Sequence, residues 1–332
     1  MRVLTVLHGA LGDVIRALPL LGRLRRGLPD AQLAWAVEPA SAPVLRGHPW
    51  IDRLHVFARE RGPTAFVPFV REIRAARYDV AIDLGRSAKT AAVALASGAP
   101  VRLGFAAADG REGGWLVATR RLPVQGAERP KLEQFLAFGD LLGLPPVPVD
   151  FGLVPSDAER GQAAALTAGL PRPLIAACVG SSCPSRRWYA ERMAATLDAL
   201  AVRRGTGAVL LGTAADAPFA AEVMRRTRTP VRDLVGRTSL RQLLAVLAET
   251  RLALGPDSGA LHLAAALGRP VVSLWGATSP LRSAPYGSER RVVCGSAPCV
   301  PCFLKHCPIG RVCMQAIGVE TVVARSEEAL AA

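Results

Sequence analysis

Several absences narrow what this chain can be. No stretch approaches the ~20 uninterrupted apolar residues of a bilayer-spanning helix, and the N-terminus lacks the basic region, apolar core and small-residue cleavage site of a secretory signal. Aromatic residues make up only 5% of the 332 positions, too few for the base-stacking platforms of nucleic-acid binders, and no zinc-finger spacing or aromatic RNA-binding strand is present. Lysine occurs only at positions 89, 131 and 305, so the net charge of +14 is carried almost entirely by arginine. That bias fits a GC-rich coding sequence and also calls for an anionic partner. Arg59, Arg61, Arg71, Arg74 and Arg77 cluster in the first half, either as a solvated face or toward phosphorylated substrate or anionic lipid headgroups.

With 50% hydrophobic residues the chain can bury two α/β cores of ordinary size. The most informative segment is residues 254–274. It reads as a strand end, the acidic loop Asp257, Ser258 and Gly259, an apolar helix, a Gly268 stop and a Val-rich strand. A helix that opens directly from such a loop presents unpaired N–H groups and a positive dipole end, which suits a phosphate or diphosphate. Gly259 leaves room for close approach. The alternative is that Asp257 or Ser258 merely caps the helix.

A second strand–Gly loop–helix series opens the chain: a strand over 3–7, a turn at 8–13 and a helix over 14–26. The loop is not G-x-G-x-x-G, so the dinucleotide fingerprint is missing. It offers Asp13 instead, at the carboxyl end of a parallel sheet where α/β ligands bind, or as a residue that only stabilises the helix dipole. Strands over 32–37 and 79–84, with a helix over 66–76, continue the alternation and predict a parallel sheet. The Pro-rich stretch at 144–155 reads as an interdomain connection. Beyond it come a strand over 174–179, a helix over 190–203, a strand over 208–211 and a helix over 218–226. Two similar domains, 1–154 and 155–332, are expected.

Five of the seven cysteines crowd together at Cys294, Cys299, Cys302, Cys307 and Cys313. One C-x2-C among further cysteines suggests a structural zinc or an iron–sulfur site, yet the paired C-x2-C framework is lacking and reduced thiols are the alternative. Disulfides are not expected in a reducing cytosol.

Gly12 and Asp13 with the apolar helix behind them, the loop ending Arg186, Arg187 and Trp188, and Asp257, Ser258 and Gly259 with His262 resemble, in order and over almost the whole chain, the ADP-heptose:lipopolysaccharide heptosyltransferases of glycosyltransferase family 9, closer to the heptosyltransferase II-like members. The resemblance implies a GT-B fold: two Rossmann-like domains whose parallel sheets face a central cleft, acceptor-binding domain first and donor-binding domain second. It implies inverting, metal-independent transfer of L-glycero-D-manno-heptose from ADP-heptose to a phosphorylated lipopolysaccharide inner-core acceptor, at the cytosolic face of the inner membrane with its anionic surface. No cofactor is required on this reading and no nucleic acid is expected.

By the same resemblance Asp13 is the general base and Arg186 replaces a family lysine that grips the leaving phosphate. Gly12, Asp216, Asp257, Ser258, Gly259, Ala260 and His262 are assigned to the donor. Tyr189 stands where a proline commonly follows the tryptophan, and Trp188 itself is expected in the core. Two other readings stay open: a family member with another nucleotide sugar or acceptor, and a basic nucleic-acid-binding protein.

Overall fold

A computed structural model of the chain describes residues 1–332 apart from Arg59, Arg61, Ala332 and the side chain of Pro63. The chain divides into two compact units, Met1–Leu153 and Val154–Ala332, one residue from the expected boundary.

The first unit is a six-stranded parallel sheet of β1 (Arg2–Val6), β2 (Gln32–Val37), β3 (Arg53–Val56), β4 (Val80–Asp83), β5 (Val101–Gly104) and β6 (Arg120–Arg121), in the order β3-β2-β1-β4-β5-β6. Helices α1 (Leu11–Gly27), α2 (Phe66–Ala75), α3 (Ala88–Ala96) and α4 (Lys131–Leu141) belong to it. β1 and β4 are buried along almost their whole length, as strands covered on both faces must be. Strand order reverses between β1 and β4, with Val6 opposite Asp83, so the carboxyl ends of these two strands frame the crevice where open α/β sheets take ligands.

Three details differ from the sequence expectation. α1 begins at Leu11, so Leu11, Gly12 and Asp13 form its first turn and not a loop. The region between β2 and α2 holds the short helix Ala42–Leu45 and strand β3. The Pro-rich connection is pinned to α1 within the first unit. The guanidinium of Arg23, 4% exposed, donates to the carbonyls of Leu136 and Pro145 at 2.9 Å each, to Leu144, and to Asp140 Oδ1 at 2.7 Å. Gly139 is required beside it, because a Cβ there would lie 2.6 Å from Arg23 Cδ.

The second unit repeats the design with β7 (Leu174–Cys178), β8 (Gly207–Leu211), β9 (Val231–Asp233), β10 (Leu252–Pro256), β11 (Val271–Trp275) and β12 (Val292–Cys294), all parallel, in the order β12-β11-β10-β7-β8-β9. Its helices are α5 (Asp157–Thr167), α6 (Ala190–Arg204), α7 (Ala217–Arg226), α8 (Leu240–Glu249), α9 (Gly259–Ala266) and α10 (Val319–Ala331). Ser156 and Ser239 close capping boxes on α5 and α8, satisfying N–H groups that the helices leave unpaired. Arg241 ties the two helices through Glu159 at 2.6 Å, and that hydrogen bond holds the Glu159 carboxyl down at about 2. Trp188, Met193, Leu197, Leu200, Leu254 and Val272 lie in one buried cluster, confirming Trp188 as core. The switch point lies between β7 and β10, where Gly255 is needed because a Cβ on it would lie 2.1 Å from the Cys178 carbonyl oxygen.

Candidate functional site

In the second unit the switch point decides which loops meet. β7 and β10 are adjacent, so the loop after β7 and the loop after β10 emerge side by side, and residues 71 apart in sequence come into contact. Arg186 Nη1 donates to Asp257 Oδ2 at 2.8 Å, Thr278 donates to the same oxygen at 3.2 Å, and the Ser181 hydroxyl donates to the Asp257 carbonyl at 3.0 Å. Asp257 is thereby an organiser of the loop.

Ser258 precedes α9 in an extended conformation and makes no capping bond. Its hydroxyl, and Nε of Arg186, are buried and lack a hydrogen-bond partner among the described residues. Buried polar atoms left without partners are costly. Here two of them accompany a helix N-terminus whose first amides belong to Gly259 and Ala260, both half-buried. Donors grouped at a positive helix end match an anionic ligand carrying several oxygens.

Other assignments shift. His262 lies one turn into α9 and is 4% exposed, in the helix interior face and not at its tip. Asp216 is 3% exposed with both oxygens engaged: Oδ2 accepts from the Thr213 N–H at 3.0 Å and its hydroxyl at 2.8 Å, and Oδ1 accepts from Arg187 at 2.7 Å. It braces its loop against Arg187, so its carboxylate is held in place by groups of the protein itself. Gly12 belongs to the first unit beside Asp13, not to the unit carrying Asp257.

In the first unit the carboxyl end of β1 delivers Asp13 through the first turn of α1. Ala10 is the N-cap residue, so Asp13 is no cap. Its Oδ1 accepts from Arg16 at 2.5 Å and Lys131 at 2.7 Å, and Lys131 also reaches Oδ2 at 3.0 Å. Burial alone would raise the pKa of this carboxyl. The two adjacent cations outweigh that and hold it well below the usual carboxylate range. Lys131 was not singled out from the sequence.

Nor was Asp83, 7% exposed at the carboxyl end of β4, whose Oδ1 accepts from the Gly85 N–H at 2.8 Å. Burial pushes it up to about 6 despite hydrogen bonds from Gly85 and Thr90. Beside it Arg86, with φ of +59°, stacks on Phe105 at 3.9 Å and donates to Gln134. The arginine cluster is elsewhere. Arg71, Arg74 and Arg77 surround a depression with Tyr78, Asp79, Ser97 and Gly98, at the end of the sheet where β4 begins, opposite the crevice; Arg59 and Arg61 lie outside the described residues.

All seven cysteines are free thiols, with Cys313 buried and Cys294 and Cys299 exposed. Among the described residues no group of three or more His, Cys, Asp or Glu side chains is arranged to hold a metal ion.

This pairing of two Rossmann-like units agrees with known proteins. Residues 67–313 match the model of glycosyltransferase family 9 (heptosyltransferase), well over half the chain. The chain belongs to glycosyltransferase family 9. It is 28% identical to lipopolysaccharide heptosyltransferase 1 of Pseudomonas aeruginosa over 92% of this chain and 87% of the relative. It is 25% identical to the lipopolysaccharide core heptosyltransferase OpsX of Haemophilus influenzae, over 86% and 81% respectively. Among solved structures, the family 9 glycosyltransferase of Veillonella parvula superposes with a TM-score of 0.85 at 23% identity, covering 99% of this chain and 97% of that one. Escherichia coli ADP-heptose heptosyltransferase II gives 0.79 at 24% identity, with 100% and 99% covered. The fold is therefore GT-B, and the chain is a glycosyltransferase. Among the described residues no helix is long and apolar enough to cross a membrane.

Proposed function

We propose that this family 9 enzyme transfers L-glycero-D-manno-heptose from ADP-heptose to the lipopolysaccharide inner core, with inversion, without a metal, at the cytosolic face of the inner membrane. Relatives named as lipopolysaccharide heptosyltransferases over more than four fifths of the chain support the substrate class. The observation that carries the donor half is the cluster of unpartnered donors at the start of α9: the Ser258 hydroxyl and Arg186 Nε, beside the Gly259 and Ala260 amides.

In the reaction the acceptor hydroxyl oxygen forms a bond to the anomeric carbon as the bond to ADP breaks on the opposite face. The proton passes to Asp13, and the electron pair leaves with the terminal phosphate of ADP. Charge grows on that phosphate only as the bond breaks, so fixed donors at residues 186 and 258–260 stabilise the transition state more than the ground state. Asp257, held by Arg186 and Thr278, keeps the loop in place before substrate arrives. The net charge of +14 suits an acceptor and a membrane surface that are both anionic.

The deciding experiment is product analysis with ADP-heptose and truncated inner-core acceptors. A new heptosyl linkage of anomeric configuration opposite to the donor's supports the proposal, and transfer only from another nucleotide sugar overturns it. Within the same assay, Asp13→Asn should retain ADP binding and lose at least ~100-fold in turnover, the usual scale for removing a general base. Full activity in that variant would reduce Asp13 to a helix-terminal charge.

A further inference from the structure

We infer that Oδ2 of Asp13 is the atom that receives the acceptor proton and that Lys131 is its positioning residue, with Gly9 keeping the approach open. The inference rests on Asp13 being the base.

The two carboxylate oxygens are not equivalent. Oδ1 accepts from Arg16 at 2.5 Å and from Lys131 at 2.7 Å, which occupies both of its lone pairs. Oδ2 takes one contact among the described residues, from Lys131 at 3.0 Å, and keeps the other lone pair open. The cations come from two different helices, Arg16 from α1 itself and Lys131 from the first position of α4, and these helices pack against each other. A carboxylate clamped from two elements cannot rotate to exchange its oxygens.

Space lies on the Oδ2 side. A Cβ built on Gly9 would stand 3.9 Å from Oδ2 and 3.8 Å from Asp13 Cβ, so the missing side chain leaves a hydroxyl-sized approach. Gly9 is itself exposed. Arg16 is 8% exposed and fixed, whereas the Lys131 side chain is 23% exposed, so Lys131 can yield its longer contact as a hydroxyl arrives.

This clamp also explains how so poor a base serves. Arg16 and Lys131 keep Asp13 ionised but weakly basic, which suits proton transfer late in the reaction. The acceptor oxygen becomes strongly acidic only once its bond to the anomeric carbon is well advanced. In the balanced step that C–O bond forms, the bond to ADP breaks, the hydroxyl O–H breaks, and the proton ends on Oδ2.

The test uses the full-length enzyme in Lys131→Met, Lys131→Gln, Lys131→Arg and Gly9→Ala forms. Removing the Lys131 charge should raise the pKa of the Asp13 carboxyl, read by carbon NMR in the free protein. The acid limb of kcat/KM should follow it to higher pH, with turnover lowered roughly 10- to 100-fold through lost alignment. Lys131→Arg should restore most of the turnover and the wild-type limb, a rescue that a purely structural role would not give. Gly9→Ala makes only ordinary contacts, the nearest 3.7 Å from Leu7 Cδ1. It should therefore raise acceptor KM roughly 10-fold and leave ADP affinity unchanged. A wild-type pH profile and turnover in both uncharged Lys131 variants would overturn the positioning role, and a wild-type acceptor KM in Gly9→Ala would overturn the Oδ2 assignment. Wild-type turnover in Asp13→Asn would instead remove the base reading itself.

Discussion

Arg186 and Asp257 stand 71 residues apart and are joined by a 2.8 Å ion pair because β7 and β10 are neighbours at the switch point of the second sheet. In the proposed mechanism this one arginine performs two tasks. Nη1 steadies the acidic loop, and the unpartnered Nε is left for the leaving phosphate. Replacement by alanine should lower turnover roughly 100-fold while ADP affinity falls much less, since the charge matters most as the phosphate departs. Calorimetric ADP affinity and steady-state transfer rates measured on the same preparation check this. Equal losses in both quantities would make Arg186 a ground-state ligand only.

The α9 terminus allows a complementary test. Gly259 opens the helix directly after the unpartnered Ser258 hydroxyl, and a branched side chain at Gly259 would occupy the space an anion needs against these amides. Gly259→Val should weaken ADP binding by at least ~10-fold, about 1.4 kcal/mol, and leave acceptor binding as it was. Unchanged ADP affinity in the folded variant would remove the proposed diphosphate site.

Much of this layout was legible in the sequence because the relevant runs are long, apolar and punctuated by glycine. The strands over 32–37 and 174–179, the helix over 190–203 and the βαβ unit after residue 254 all appear within a residue or so of expectation. The elements not read from sequence are those with weak local signals. β3, β6 and β9 span four residues or fewer and carry arginines at Arg53, Arg120 and Arg232, so they are too short for an apolar run or an alternation to stand out. α4 starts after Pro130 with no side-chain cap and contains Gly139, which hid Lys131. Asp83 was absorbed into an apolar strand run, where a carboxylate reads as a strand end and its burial is invisible. Asp216 was assigned by position after a strand, but which way its carboxylate turns depends on Arg187, 29 residues away.

The cysteine segment makes a separate prediction. Cys313 is 4% exposed and packs against Gly276, where a Cβ would lie 2.7 Å from its sulfur, while Cys299, Cys302 and Cys307 are more exposed. If these side chains stay reduced thiols without an ion, anaerobically purified protein should contain no stoichiometric zinc or iron. Cys299→Ser with Cys302→Ser should leave its melting temperature unchanged. Near-stoichiometric metal by elemental analysis, lost together with stability in that double variant, would show instead that these thiolates gather around an ion.

Asp83 should make the first unit more stable in mild acid than in base. Its folded-state value of about 6 lies above the ordinary aspartate value because burial disfavours the charge. A raised folded value means that the native protein holds a proton which the unfolded chain has already released. The associated stability is fully present below about pH 4 and is lost as pH rises through about 6. Between pH 5 and pH 8 this one group should therefore cost roughly 1–2 kcal/mol. Asp83→Asn keeps an oxygen to accept from the Gly85 N–H and cannot ionise. Urea unfolding of the full chain at the two pH values should show the wild type losing that much more stability than the variant on going to pH 8. Parallel losses in the two proteins would mean that Asp83 is already ionised in the folded state across this range and that the crevice at the end of β4 carries a full negative charge beside Arg86.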